Sequence, residues 1–212
     1  MSRHRSRHAR GRKGRGSVGC AVTFVLVLFA AAFAIFFAAD TSYQGARGKV
    51  YSVVYPQKYT LQVEKYAAEF GVEEPLVYAV IRTESNFRSD AQSHAGAVGL
   101  MQLMPSTFDW LQEKLDGEIL YTSDALTDPD VNIRYGTYLL SCLLEQYDGN
   151  MSTAVAAYNA GSSTVNGWLA DSACSSDGKT LSVIPYEETK NYVDRVEGAY
   201  DKYKMIYYQN NR

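Results

Sequence analysis

Glu84 is the residue of this chain whose surroundings most favour chemistry. It continues a stripe of apolar residues at helical spacing, formed by Leu76, Val77, Val80 and Ile81. Burial against apolar side chains disfavours the charged form of a carboxyl group and raises its pKa. A general acid that works near neutral pH needs such a raised pKa, because it must hold its proton until it donates it. The stripe alone also fits a glutamate that ends a helix and points into water, since glutamates are rarely fully buried.

Four short motifs follow one another along the chain. They are Glu84-Ser85-Asn86-Phe87, residues 99–105 (GLMQLMP), residues 157–161 (AYNAG) and residues 185–189 (PYEET). Each motif is weak alone, but the four together in this order closely resemble the soluble lytic transglycosylase (SLT) family. The resemblance covers residues 61–205 and implies an all-α, goose-lysozyme-like helical domain. It also implies cleavage of the β-1,4 bond between N-acetylmuramic acid and N-acetylglucosamine in peptidoglycan, with release of a 1,6-anhydro sugar.

A single acid is compatible with that chemistry. Glycoside cleavage normally uses two carboxyl groups, but only Glu84 stands in a motif on an apolar face. In a substrate-assisted scheme, Glu84 protonates the leaving oxygen while the 2-acetamido group stabilises C1. The resulting carboxylate then takes the proton of the C6 hydroxyl that attacks C1. Two alternatives stay open: a lysozyme-type hydrolase of the same fold, and a wall-binding module without catalysis.

The resemblance further implies substrate-binding roles for seven residues, which are Ser93, Gln102, Met104, Tyr158, Asn159, Glu188 and Tyr192. Ser93 would polarise the acetamido group, Gln102 would hydrogen-bond the sugar, and Met104 would supply apolar contact. Tyr158 would offer a stacking face. Structural explanations compete with these roles: an ordinary loop serine at position 93, and core packing for the methionine.

The other three positions carry similar alternatives. Asn159 offers a bidentate amide to the sugar, but Asn-Ala-Gly is also good chemistry for ending a helix. Glu188 would line the cleft, unless it is a solvated first-turn glutamate favoured by the helix dipole. Tyr192 lies four residues later on the same helix face, and the family places this tyrosine close to the catalytic glutamate. A plain core tyrosine is the competing interpretation.

The chain departs from the family pattern in its longest predicted helix. Family members often show Gly-Thr-x-Tyr-Leu, whereas residues 136–140 read Gly-Thr-Tyr-Leu-Leu. Leu139 therefore occupies the usual tyrosine position, and Tyr138 comes one residue earlier. Whether a tyrosine of this helix reaches the cleft is left open by the sequence.

The predicted elements that position these motifs are all helices. Hydrophobic periodicity and end signals predict helices over residues 61–70, 75–84, 106–115, 129–147, 152–160 and 185–208. Thr60 and Ser152 are the expected caps of the first and fifth helices. Residues 86–98, 116–128 and 162–184 are expected to be loops, and residues 50–55 alternate weakly enough to add an extended piece. No strand pattern of four or more residues is convincing.

The N-terminal part predicts a membrane anchor. Seven of the 21 Lys and Arg residues fall in the first 16 positions, and no Asp or Glu precedes Asp40. Residues 1–18 are then a basic cytoplasmic tail, and the uncharged residues 19–39 have the length of a transmembrane helix. Residues 40–58 form a linker, and residues 59–212 form the SLT domain outside the cytoplasm. Secretion after cleavage near Ala39 is the alternative.

Charge and metal-ligand patterns limit the possible partners. Residues 40–212 carry 14 basic and 23 acidic side chains, a net charge of −9, which argues against nucleic acid. No phosphate loop, metal-ligand spacing or Cys cluster appears, so no cofactor or metal is predicted. We interpret Cys142 as a core thiol and Cys174 as a loop thiol, and pairing between them stays open. The acidic domain on a single anchor favours a monomer.

Overall fold

The computed structural model describes residues 33–37, 51 and 53–208. The chain divides into two compact units, residues 1–50 and residues 51–212. In the first unit, residues 33–37 are helical; the rest of the predicted anchor and the basic tail lie outside the described residues. Among the residues that are described, no helix combines the length and the apolar character needed to cross a membrane.

Seven α-helices form the described part of the second unit. They are α1 (Thr60–Phe70), α2 (Glu74–Ser85), α3 (Pro105–Asp116), α4 (Pro129–Gln146), α5 (Met151–Ala160), α6 (Ser162–Ala170) and α7 (Glu187–Tyr203). A 3-10 helix, Ser123–Thr127, lies between α3 and α4, and a π-helical turn, Lys204–Tyr208, follows α7. Within residues 53–208 extended pairing is limited to isolated bridges at Val98, with Gln92 and with Leu103. The all-α prediction for this domain is confirmed.

Helix α2 is the centre of the domain. Its middle residues, 77–81, are almost completely buried, and the helix packs against α7. Pro75 lies in its first turn, where the missing N–H of proline costs nothing. Asn86 ends it in the left-handed conformation at φ 50°, with its N–H bonded to the carbonyl of Arg82. The apolar stripe that precedes Glu84 is therefore a core stripe, and the glutamate lies where that helix leaves the core.

Helix α4 supports the rest of the domain. It packs against α1, α3 and α5, and its N-cap Asp128 accepts a hydrogen bond from the N–H of Asp130. Two predicted caps were wrong. Asn150, not Ser152, caps α5 by accepting from the N–H of Thr153 at 3.0 Å. Thr60 is the first residue of α1 rather than its cap, and Tyr59 precedes it at φ 59°.

Three segments differ from the sequence predictions. Residues 162–170 form helix α6 inside the predicted loop, because Val165 and Trp168 turn one face of that segment into the core. Residues 51, 53 and 54 are helical rather than extended. Residues 53–58, part of the predicted linker, pack on the domain: the O–H groups of Tyr203 and Tyr207 donate to the carbonyls of Pro56 and Tyr55, at 2.9 and 2.7 Å.

Both cysteines of the second unit are free thiols. Cys142 is half-buried on α4, and Cys174 is buried in the core. The sequence had suggested the opposite distribution, with Cys142 in the core and Cys174 in a loop. The difference follows from α6, because the segment after that helix lies against the core instead of in solvent.

Candidate active site

Glu84 lies in the last turn of α2 and is held there by a tyrosine of α7. The O–H of Tyr192 donates a hydrogen bond of 2.7 Å to Oε1 of Glu84. Tyr192 itself is buried, with 3% of its surface exposed, whereas Glu84 keeps partial access to solvent. The predicted closeness of these two residues is thus present, and it follows from the packing of α2 on α7.

The environment of Glu84 favours its protonated form. Burial raises the pKa of Glu84 from its ordinary 4.5 to about 7, although the hydrogen bond from Tyr192 and the positive charge of Arg195 both lower it. Arg195 lies one helical turn after Tyr192 on α7. A carboxyl group with this pKa exists in both protonation states near neutral pH, as an acid that later serves as a base requires.

A second tyrosine closes the other side of the site. Tyr158, in the last part of α5, donates a hydrogen bond of 2.7 Å to the carbonyl oxygen of Met101. Burial, and next the negative charge of Glu84, raise the pKa values of Tyr158 and Tyr192 far above their ordinary range. Both phenols therefore remain protonated donors at any working pH of the site.

The loop between α2 and α3 is fixed by two side-chain amide groups. Nε2 of Gln102 donates to the carbonyls of Ala91 and Gly99, at 3.1 and 2.9 Å. Asn132, fully buried on α4, accepts from the N–H of Met101 at 2.8 Å and donates to the carbonyls of Val98 and Leu126. The amide nitrogen of Gln102 thus holds the protein backbone, and only its Oε1 has no hydrogen-bond partner among the described residues.

Asn132 was missed by sequence reasoning, although a signal for it exists. It lies three residues before Tyr135 and seven before Leu139, on the face of this helix that carries its apolar stripe, so its amide is expected to face the core. Gly99 and Gly136 allow the close packing around it. A Cβ on Gly99 would collide with the amide of Asn132, and one on Gly136 would collide with the sulfur of Met101.

The remaining predicted residues lie at the surface around this centre. Met104 precedes α3 with 38% of its surface exposed. Ser93 is exposed, and its Oγ accepts from the N–H of Ala97 at 3.0 Å. Oδ1 of Asn159 accepts from the hydroxyl of Thr189 at 2.8 Å and so joins the end of α5 to the first turn of α7. Glu188 is exposed, and its side chain forms no hydrogen bond or ion pair with the residues that the structure describes.

A groove of about 470 Å³ extends from Tyr158 between α3, α4 and α5. Leu139 and the exposed Trp110 line it, together with Lys114. Tyr138, by contrast, points away and packs on Phe70 with ring centroids 5.2 Å apart. The tyrosine of the shifted motif therefore lies outside the groove, and leucine takes its place there. Sequence reasoning missed Trp110 as a groove residue. A signal exists, because Trp110 lies off the apolar face of α3 and such a large aromatic side chain is then expected at the surface.

Comparison with known proteins places these features in one family. Residues 62–180 match the family described as the transglycosylase SLT domain. The chain is 33% identical over 150 residues to the soluble lytic murein transglycosylase of Escherichia coli, covering 70% of this chain and 23% of that protein. It is 39% identical over 116 residues to the membrane-bound lytic murein transglycosylase C of Yersinia pestis, covering 51% and 32%.

Solved structures agree with this similarity. An inactive glutamate-to-glutamine mutant of the lytic transglycosylase Slt from Pseudomonas aeruginosa superimposes with a TM-score of 0.65 at 35% identity, over 73% of this chain and 25% of that chain. A 70-kDa soluble lytic transglycosylase in complex with bulgecin A gives a TM-score of 0.66 at 25% identity, over 80% and 29%. The chain thus spans about a quarter of the length of these larger proteins. By both its sequence and its fold, it belongs to the transglycosylase SLT domain family.

Proposed function

We propose that this chain is a lytic transglycosylase that cleaves the β-1,4 bond between N-acetylmuramic acid and N-acetylglucosamine in peptidoglycan. The observation that carries the proposal is Glu84: a partly buried carboxyl group with a pKa of about 7, hydrogen-bonded by Tyr192 at the end of the central helix. The relatives named as lytic murein transglycosylases support the same reaction.

In the first step Glu84 acts as a general acid. Its proton passes to the glycosidic oxygen as the bond from that oxygen to C1 of the muramic residue breaks. The acetamido oxygen of the same sugar bonds to C1 and carries the developing positive charge. The hydrogen bond from Tyr192 then stabilises the Glu84 carboxylate that this step leaves behind.

In the second step Glu84 acts as a base. The carboxylate removes the proton of the C6 hydroxyl, whose oxygen attacks C1 and displaces the acetamido oxygen. The product is the 1,6-anhydro sugar, Glu84 is protonated again, and no water is consumed. A pKa near 7 suits both steps, because the protonated and the ionised form of Glu84 are both populated at neutral pH.

The surrounding residues would bind the glycan. Oε1 of Gln102 can accept from a sugar N–H or hydroxyl, since its amide nitrogen is already occupied. The exposed Met104 offers apolar surface, and Ser93 and Asn159 offer polar contacts at the rim. Tyr158 would support the loop of Met101 while its ring forms part of the groove wall. We propose that the exposed carboxylate of Glu188 lines the cleft and binds the sugar.

Mass spectrometry of the fragments released from purified peptidoglycan tests this function. We expect products one water lighter than hydrolysis products, and we expect them to disappear in the Glu84→Gln variant. Reducing muramic ends would instead mean that water attacks C1; the enzyme would then be a hydrolase, and Glu188 would be the first candidate for its second carboxylate. A variant that keeps full activity without the Glu84 carboxyl group would refute the assignment.

We also propose a single-pass topology, with residues 1–18 in the cytoplasm, residues 19–39 in the membrane, a linker that begins at residue 40, and residues 59–212 as a monomeric SLT domain outside. The basic start and the uncharged segment support it, as does a relative named as membrane-bound. Protease accessibility in intact spheroplasts tests it. Digestion of the domain with protection of the N-terminal tail is expected. Release of an intact domain into the medium would instead favour cleavage of the segment.

A further inference from the structure

A pocket of about 620 Å³ lies between the end of α2 and the outer face of α7. We call it the basic pocket, because three of its lining side chains are cationic: Arg82, Arg195 and Lys202. Asp194 supplies one carboxylate to the same wall. Thr83, the residue directly before Glu84, also lines it, so the basic pocket borders the candidate active site without including its carboxyl group. A cationic recess is unexpected on a domain whose net charge is strongly negative.

The three cations differ in how they are held. Arg82 is fixed, with its guanidinium 4.4 Å from the ring centroid of Tyr55 and a hydrogen bond to the carbonyl of Val54. Arg195 and Lys202 are exposed and form no hydrogen bond or ion pair with any residue that the structure describes. The charge of Arg195 also acts on Glu84, whereas Lys202 has no anionic partner among the described residues. Both cations are exposed on one helix, so a ligand can use their charge.

Gly198 forms the floor between Arg195 and Lys202. A Cβ added to Gly198 would meet no heavy atom within 4 Å, so packing does not require a glycine there. A glycine inside a helix costs about 1 kcal/mol relative to alanine. The absent side chain gives depth to the basic pocket between the two cations. The space above Gly198 is therefore open to a ligand group that enters between the two cations.

We propose that the basic pocket binds carboxylate groups of the peptide stem carried by the muramic residue under cleavage. This inference rests on the proposed function and names a second recognition site for the same substrate. Thr83 lines the pocket and directly precedes Glu84, and an extended peptide advances about 3.5 Å per residue, so the first few stem residues can reach the pocket. Asp194 favours a peptide over a phosphate group, because its carboxylate can accept hydrogen bonds from peptide N–H groups, which a phosphate lacks.

The test compares two substrates with the full-length chain in detergent. Glycan strands that carry stems are cleaved in parallel with the same strands after an amidase has removed the stems, and the ratio of the two kcat/KM values is the readout. We expect Lys202→Gln to lower this ratio about tenfold, as loss of one charge-assisted contact predicts. Gly198→Glu should lower it further, because it places a carboxylate between the cations. The matched control is Lys179→Gln, which removes an exposed ammonium paired with Asp148 elsewhere.

A binding measurement separates this inference from the proposed function. Free stem peptide should bind the wild-type chain with a salt-dependent affinity, and Lys202→Gln should weaken that binding. If the peptide binds but neither strand is cleaved, the proposed function fails and the basic pocket stands. If strands are cleaved while both variants keep the wild-type ratio, the inference about the pocket is overturned. Binding of inorganic phosphate in place of the peptide would overturn it as well.

Discussion

At the scale of single residues, opposing effects of burial and of polar neighbours set the pKa of Glu84. Burial favours the neutral acid, whereas Tyr192 and Arg195 favour the carboxylate, and the result is a pKa of about 7. Tyr158 adds no hydrogen bond to Glu84, because its O–H is directed to the carbonyl of Met101. Tyr192 is therefore the side chain through which the acidity of the site can be changed most directly.

Tyr192→Phe should move the alkaline limb of the kcat/KM profile to higher pH. The lost hydrogen bond lowers the pKa of Glu84, so removing it raises that pKa, and the protonated acid then survives to higher pH. A hydrogen bond to a charged group of this size corresponds to a shift of about one pH unit. Tyr200→Phe is the control, since it removes a tyrosine hydroxyl of the same helix whose hydrogen bond goes to Glu73 and not to Glu84. A limb that stays in place or moves to lower pH would contradict this role.

Glu84→Gln should stabilise the domain at high pH but not at low pH. Below pH 4.5 the carboxyl group is neutral in both folded and unfolded chains, so its raised pKa carries no cost. Above pH 7 it is charged in both, and a rise from 4.5 to about 7 then costs the folded state roughly 3 kcal/mol. Urea unfolding of residues 51–212 at pH 5 and pH 8 measures the difference between variant and wild type. A difference that is the same at both values would refute the burial argument.

At the scale of elements, α4 determines the geometry of the loop that carries Met101 and Gln102. The amide of Asn132 satisfies three backbone groups of its surroundings, and Gly136 leaves the space that the Met101 side chain fills. Because Tyr158 is bonded to the carbonyl of Met101, a displacement of this loop would reach the site itself. Helix α4 therefore positions the loop next to the site, although Glu84 itself lies on α2.

Gly136→Ala should destabilise the domain and lower activity together. The added Cβ would collide with the sulfur of Met101 and lie 2.8 Å from its Cβ, and overpacking of this kind costs about 1–3 kcal/mol. Gly167→Ala, in the exposed part of α6, is the matched control, because its Cβ meets nothing within 4 Å. That variant should gain up to about 1 kcal/mol from helix propensity. Thermal unfolding and glycan cleavage are the measurements, and equal effects of both substitutions would disprove the packing argument.

The sequence predicted the helices that its periodicity and end signals mark clearly. Helix α2, with Pro75 at its start and an apolar stripe leading to Glu84, was expected nearly to the residue. Helix α6 was not, because Ser162, Ser163 and Gly167 are typical of loops, and tertiary burial of Val165 and Trp168 overrode that local preference. The bond between Glu84 and Tyr192 was expected only from a family resemblance, since helical periodicity contains no information about contacts between residues 108 positions apart.

At the scale of the whole domain, tyrosines hold the start of the second unit against α7. Tyr55 packs edge-on against Tyr203, with ring centroids 5.6 Å apart, and Tyr203 stacks in turn on Tyr78 and Tyr207. Tyr203 and Tyr207 also donate the two hydrogen bonds to the carbonyls of Pro56 and Tyr55. Since Arg82 of α2 also lies against Tyr55, residues 53–58 cover the core beside the basic pocket.

A domain that begins at residue 51 should therefore be more stable than one that begins at residue 59. The shorter chain loses the aromatic contact and the cation–π contact of Tyr55, which together are worth about 2 kcal/mol, or about 4–8 °C in Tm. Calorimetry of both chains measures the difference, and Tyr55→Ala in the longer chain should reproduce most of it, because the ring makes both contacts. Equal Tm values would place the domain boundary at residue 59, and residues 53–58 would then contribute only to the wall of the basic pocket.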